Sequence, residues 1–118
     1  MEQDRSAIAT VLQRLRDHIA DAFTLTEGRS PGELVADHLA RLALERCIAF
    51  IAEASKCIPA EWKSELPNIR WDVLAGLAAR LHDPGQEVDV DQLWQVVETD
   101  LPRLEGALDG LLGRANAA

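Results

Sequence analysis

Ile8, Val11, Leu12, Leu15, Ile19 and Ala22 recur at three- and four-residue steps, with Asp, Arg and Gln between them. That is the period of an apolar stripe on an α-helix, and it predicts an amphipathic helix from about Asp4 to Leu25. Gly28 and Pro31 punctuate its end. Ser30 stands directly before Pro31 and three residues before Glu33, the arrangement of an N-cap hydroxyl, a first-turn proline and an acid that closes a capping box. A second helix should start there. Leu34, Val35, Leu39, Leu42, Ala43, Ile48 and Ile51 keep the helical period until Pro59, so one helix of about 40 Å is expected from Pro31 to Ile58.

Pro59 and Pro67 bracket Ala60 to Leu66, room for one or two helical turns anchored by Trp62. Asn68 is placed to cap a third helix through Trp71, Leu74, Leu77, Ala78 and Leu81, which Asp83-Pro84-Gly85-Gln86 breaks. A last helix should begin near Asp89 or Asp91, with Leu93, Trp94, Val97, Leu101, Leu104, Leu108 and Leu111 on one stripe. Pro102 lacks a backbone donor and should kink it, with Asp100 recapping the second half. The expected fold is all-α, an antiparallel four-helix bundle with a short extra helix, in a single domain spanning 1–118.

Composition narrows the setting. No apolar run approaches the eighteen or so residues that span a bilayer, and Met1 to Arg5 are polar and mixed in charge, so neither a membrane anchor nor a signal peptide is expected. Cys47 and Cys57 lie about 80° apart on one helix and cannot bridge within it, which fits buried thiols in a reducing compartment such as the cytoplasm. The net charge of −8 argues against a broad nucleic-acid surface. It is unevenly spread: residues 1–45, 46–82 and 83–118 carry −3, +1 and −6, so an anion site is best sought in the middle. His18 and His38 lack ligand spacing, there is no glycine-rich phosphate loop, and neither metal nor cofactor is expected.

Three stretches together resemble the HepT-like family of the HEPN superfamily. The first is Arg46 followed by Ala52-Glu53-Ala54-Ser55-Lys56, similar to that family's arginine and Gly-Glu-Ala-Ala-Lys segment. The second is Ile58-Pro59-Ala60-Glu61-Trp62 with Pro67-Asn68-Ile69-Arg70-Trp71 and Gly76-Leu77. The third is Val88-Asp89, Leu93-Trp94 and Thr99-Asp100-Leu101-Pro102. The similarity runs over about residues 5–112. It implies a helical homodimer that cuts RNA as a toxin, silenced by a minimal nucleotidyltransferase antitoxin. It also implies metal-free chemistry by an arginine, a polar residue directly after it, and a histidine four to six residues beyond. The histidine would move a proton, and the arginine would meet the charge on phosphorus.

This chain departs from that motif. Read without a gap between Gly76 and Val88, the arginine and polar positions hold Ala78 and Ala79, and the histidine position holds Asp83. One gap recovers His82, with Leu77 and Ala78 where the arginine would stand. Arg80 lies two residues before His82, about 200° around a helix, so both could face one phosphate only if the helix unwinds at Asp83-Pro84. The catalytic candidates are therefore His82 and Arg80, with Arg70 as a further substitute cation. The bland alternatives are a histidine at a helix C-terminus that meets only the dipole, and solvent-facing arginines. Arg46 and Glu53, seven apart on one helical face, suit a structural role better than chemistry. The three tryptophans suit core or dimer packing better than base stacking. The family's frequent terminal tyrosine, the reported target of nucleotide transfer, has no counterpart, because the chain holds no tyrosine.

Two functions stay open. One is a HepT-like endoribonuclease toxin, weakened by motif loss, in which His82 and Arg80 retain activity. The other is a catalytically inactive HEPN dimer that serves as interaction partner of a minimal nucleotidyltransferase. A homodimer is expected under both, from the apolar positions Trp71, Leu74, Leu93 and Trp94 on the third and fourth helices.

Overall fold

The apolar stripes find their partners in one shared core. In the computed structural model, which describes residues 2–117, helix α1 (Glu2–Thr26) packs along α3 (His38–Ser55) and α7 (Leu101–Asn116), and α3 packs also along α5 (Trp71–Leu81). The short helices are α2 (Pro31–Ala36), α4 (Ala60–Ser64) and α6 (Val90–Gln95). A π-helical segment, Val96–Asp100, joins α6 to α7. The described residues thus form an all-helical bundle of four main arms, as the hydrophobic period implied. The two ends of the expected 1–118 domain, Met1 and Ala118, lie outside the described residues. No helix among them is long and apolar enough to cross a membrane.

The core repeats the sequence stripes: Leu12, Leu15 and Ile19 of α1, Leu44, Ile48 and Ile51 of α3, Leu74 of α5, Leu93 of α6 and Leu101, Leu104 and Leu108 of α7 are fully buried. Burial of such side chains is worth about 1.5–3 kcal/mol each before the entropy of ordering the chain is counted. Local punctuation is also where the pattern put it. Gly28 takes a φ of +71°, the left-handed conformation that a side chain would resist. Ser30 and Glu33 close the capping box, Glu33 N–H donating to Ser30 Oγ at 3.2 Å and Ser30 N–H to Glu33 Oε1 at 3.3 Å.

Three expectations need correction. The single helix from Pro31 to Ile58 is broken at Asp37, whose backbone is extended at φ −110° and ψ 91°, and it ends at Ser55. Asp37 closes α2 with its N–H, which donates to the carbonyls of Glu33 and Leu34, and opens α3 with its carboxylate, which accepts from Ala40 N–H at 3.1 Å. A side chain that caps this well competes with the continuing helix. Asn68 does not cap α5, which begins three residues later after Ile69 has plugged into the core. Asp100 does not recap the last helix either. The chain meets Pro102 by widening the preceding turn, with Leu101 N–H donating to the Val96 carbonyl five residues back, and Asp100 turns its fully buried carboxylate elsewhere.

The cysteines are both free. Cys47 is buried in α3 and Cys57 is exposed beyond its end; burial, with the charge of Asp21 added, pushes the Cys47 thiol above its ordinary range and leaves it inert.

Ile48→Ala should cost about 2–5 kcal/mol in urea melts, since Ile48 is fully buried; a loss within experimental noise would show that the α1–α3 seam is not the core. The Asp37 corner carries a pH signature. Hydrogen bonds from Ala40 N–H and then Arg29 hold its carboxyl below the ordinary range, so its stabilisation is present above about pH 4 and is lost as the pH falls through the folded-state value. Asp37→Asn keeps the cap and removes the charge. It should lower the urea midpoint at pH 7, with the gap to the parent closing towards pH 3.

Candidate functional site

The end of α5 is built by long-range anchors. Arg70, the residue before α5, places its guanidinium on the buried Asp100 carboxylate, Nε to Oδ1 at 3.0 Å and the second donor to Oδ2 at 2.6 Å. Two parallel charge-assisted bonds fix the helix start without any side-chain cap. Trp71 adds an indole N–H to the Leu66 carbonyl at 3.2 Å. Leu74, Leu77 and Ala78 then face the core. At the other end His82 N–H closes the last turn on the Ala78 carbonyl, and Asp83 holds the following turn, accepting from Gly85 N–H at 2.8 Å and from the Gln86 amide at 3.3 Å. Arg41 of α3 ties down the Val88 carbonyl at 3.0 Å.

Against that frame the family-aligned positions sort clearly. Ala78, where the ungapped alignment puts the arginine, has no exposure, whereas Ala79 is exposed. Asp83, at the histidine position, is engaged in its own turn as an Asx-type residue. Neither alanine carries a group that could touch a substrate.

His82 and Arg80 part company. The His82 side chain is 57% exposed, and its Nε2 lies 3.5 Å from Glu53 Oε1 on α3. Arg80 instead donates to the Glu87 carbonyl at 3.4 Å, in the loop towards α6. The α5 helix stays wound up to Leu81, so the unwinding that would let both face one phosphate is absent here. Arg70 is committed to Asp100; that hydrogen bond, outweighing partial burial, holds its proton more tightly than usual. Glu53 does not pair with Arg46. It reaches Lys56 at 3.3 Å on one side and His82 on the other.

Lys56 is the residue that sequence reasoning missed. It sits at the end of α3, three residues from Glu53, and shares the Glu53 Oε1 oxygen with His82. Its i,i+3 spacing from Glu53 was visible in the chain. Its proximity to His82 comes from the packing of α3 on α5. The cluster offers an exposed imidazole able to carry a proton, a carboxylate beside it and a lysine behind the carboxylate, a weak substitute for a guanidinium fork on a phosphorane.

The surface also revises the reason given for a dimer. Leu74 and Leu93 are fully buried in the chain's own core, and Trp71 and Trp94 are half-buried, their indole N–H groups donating to Leu66 and Glu98. The large apolar side chains left outside are Val35, Leu39 and Leu42, at 58%, 76% and 46% exposure, gathered at the α2–α3 corner. A groove with a volume of about 260 Å³ beside them reaches Leu81 and Val88, next to the end of α5.

A family model described as Ribonuclease HepT-like matches residues 15–110. A Thermococcus cleftensis protein named "Probable ribonuclease HepT" is 34% identical over 79 residues, 67% of this chain and 72% of that protein. Two Methanocaldococcus jannaschii proteins named as candidate RNases are also similar. One is 27% identical over 85 residues, 72% of this chain and 78% of its own length; the other is 23% identical over 105 residues, covering 89% and 87%. No solved structure matches the chain. The helical bundle agrees with these matches, and the chain belongs to the HepT-like ribonuclease family.

Proposed function

We propose that this chain is the toxin component of a toxin–antitoxin pair, an RNA-cleaving HepT-like protein whose activity is weakened by loss of its motif, and that a minimal nucleotidyltransferase silences it. Family membership supports ribonuclease ancestry. The observation that carries the weakening is the divergence of His82 towards Glu53 and Arg80 towards Glu87, with alanine at both aligned motif positions. In cleavage, the exposed imidazole of His82 would take the 2′-hydroxyl proton or return one to the leaving oxygen. Charge building on the phosphorane would be met by Arg80 after rotation of its side chain, or by Lys56, and neither is held in place for it. Silencing proceeds by binding or by modification of Ser or Thr, since the chain has no tyrosine hydroxyl to accept a nucleotide.

The second reading is an inactive dimer that serves as a partner of the nucleotidyltransferase. The alanines at the two aligned motif positions favour it, while the exposed Val35, Leu39 and Leu42 offer a second chain an apolar surface under either reading. Under both readings the protein is a homodimer in the cytoplasm.

Incubation of the purified chain with total RNA separates the readings. Cleavage should be weaker than that of a relative with an intact motif by roughly a hundredfold or more, the usual effect of one missing charge stabiliser, and His82→Ala should remove it. Robust cleavage, or cleavage indifferent to His82→Ala, would overturn the proposed site; no cleavage at any enzyme concentration would favour the inactive dimer.

Rebuilding the motif has a structural cost. Ala78 has no exposure, so Ala78→Arg drives a guanidinium into the α3–α5 seam and should destabilise the fold by about 3 kcal/mol or more in urea melts. Ala79→Asn, at an exposed position, should stay within about 1 kcal/mol. Equal effects at the two positions would contradict the placement of α5.

A further inference from the structure

Between α5 and α6 lies a cleft with a volume of about 350 Å³, apart from the His82 cluster and bordered by Arg70 of the ion pair. Its size is at the lower end of small-molecule sites, which run from about 300 to 1,000 Å³. The buried Leu77 and Val96, with half-buried Val73, give it an apolar floor. Gly76 keeps that floor open, since nothing lies within 4 Å of where its Cβ would stand. The walls are polar, exposed at Asp72, Gln92 and Gln95 and half-buried at Arg80. Gln92 and Gln95 stand three apart on α6, with Arg80 and Asp72 on the facing side of α5. Arg80 makes one long bond, to the Glu87 carbonyl at 3.4 Å, leaving most of the five donors of a guanidinium for another acceptor.

We infer that this cleft holds one unpaired nucleotide of the RNA, its base lying on the apolar floor and its phosphate on Arg80. A glutamine amide offers a donor and an acceptor side by side, the pattern that adenine presents in reverse at N6 and N7. Two such amides on one helical face make adenine the base of choice. A flat, apolar-bottomed slot with amides on one wall and a cation on the other suits a base and its phosphate together. This inference rests on the ribonuclease reading for its ligand class, but it places recognition apart from the His82 cluster. With Arg80 on this phosphate in its observed orientation, the charge on the phosphorane is left to Lys56.

The test uses non-cleavable probes, 2′-O-methyl hexanucleotides of A, C, G and U, titrated against the purified chain by fluorescence anisotropy at low salt. Oligo(A) should bind about five- to tenfold more tightly than the others, the low end expected for a bidentate amide contact. The double substitution Gln92→Ala with Gln95→Ala should abolish the preference, and Arg80→Ala should weaken all four probes alike. Gly76→Leu fills the cleft while replacing glycine by a better helix former, so it should remove binding with the thermal transition retained. Equal binding of the four probes, preference for another base, no binding, or unchanged binding by a folded Gly76→Leu variant would each overturn the assignment. A chain that cuts RNA without base preference would keep the ribonuclease reading and lose the cleft. One that binds oligo(A) and cuts nothing would do the reverse.

Discussion

The carboxylate of Asp100 has no exposure, and it is tolerable there only because Arg70 meets both its oxygens. An isolated buried carboxylate would cost several kcal/mol or take up a proton. The bidentate fork removes that cost and fixes geometry at the same time, joining the start of α5 to the last residue of the π-helical segment. From one end of this clamp α5 runs to His82. From the other, α7 runs along α1 to close the bundle. The widened turn that accommodates Pro102 is what brings Asp100 inward, so a backbone irregularity and a buried charge are solved together.

This clamp also decides the chemistry. Arg70 is the only arginine of the motif region held rigidly, and its charge is already answered by Asp100. Arg80 and Lys56, the cations flanking His82 in the chain and through Glu53, are each attached to a different neighbour. The chain keeps a helical scaffold and an exposed histidine at the end of α5, with alanine at both positions aligned with the arginine and the polar residue.

What the sequence revealed and concealed follows from range. Ser30, Glu33, Gly28 and Asp89 act on neighbours within a few residues, and their caps and turns were legible. The apolar stripes were legible too, because a period of 3.6 is a local property. Asp37 was harder: without glycine or proline to mark it, an unbroken stripe concealed a capping aspartate. Arg70 and Asp100 are thirty residues apart, and nothing local distinguishes their pairing from two surface charges. The reach of Glu53 to His82 likewise depends on how α3 lies against α5. The motif loss was plain from the residues alone, whereas the burial of Ala78 and the capture of Asp83 by its own turn required the fold.

The central claim is that Arg70 is committed to Asp100 as a structural clamp. A double-mutant cycle on folding stability tests it most directly, with Arg70→Met, Asp100→Asn and the double variant compared by urea melts at neutral pH. Each single change should destabilise, Arg70→Met more strongly because it strands the carboxylate, with a coupling of about 1–3 kcal/mol between them. Additive effects, within about 0.5 kcal/mol of zero coupling, would show that Arg70 is free and would return it to the list of cations available for phosphate.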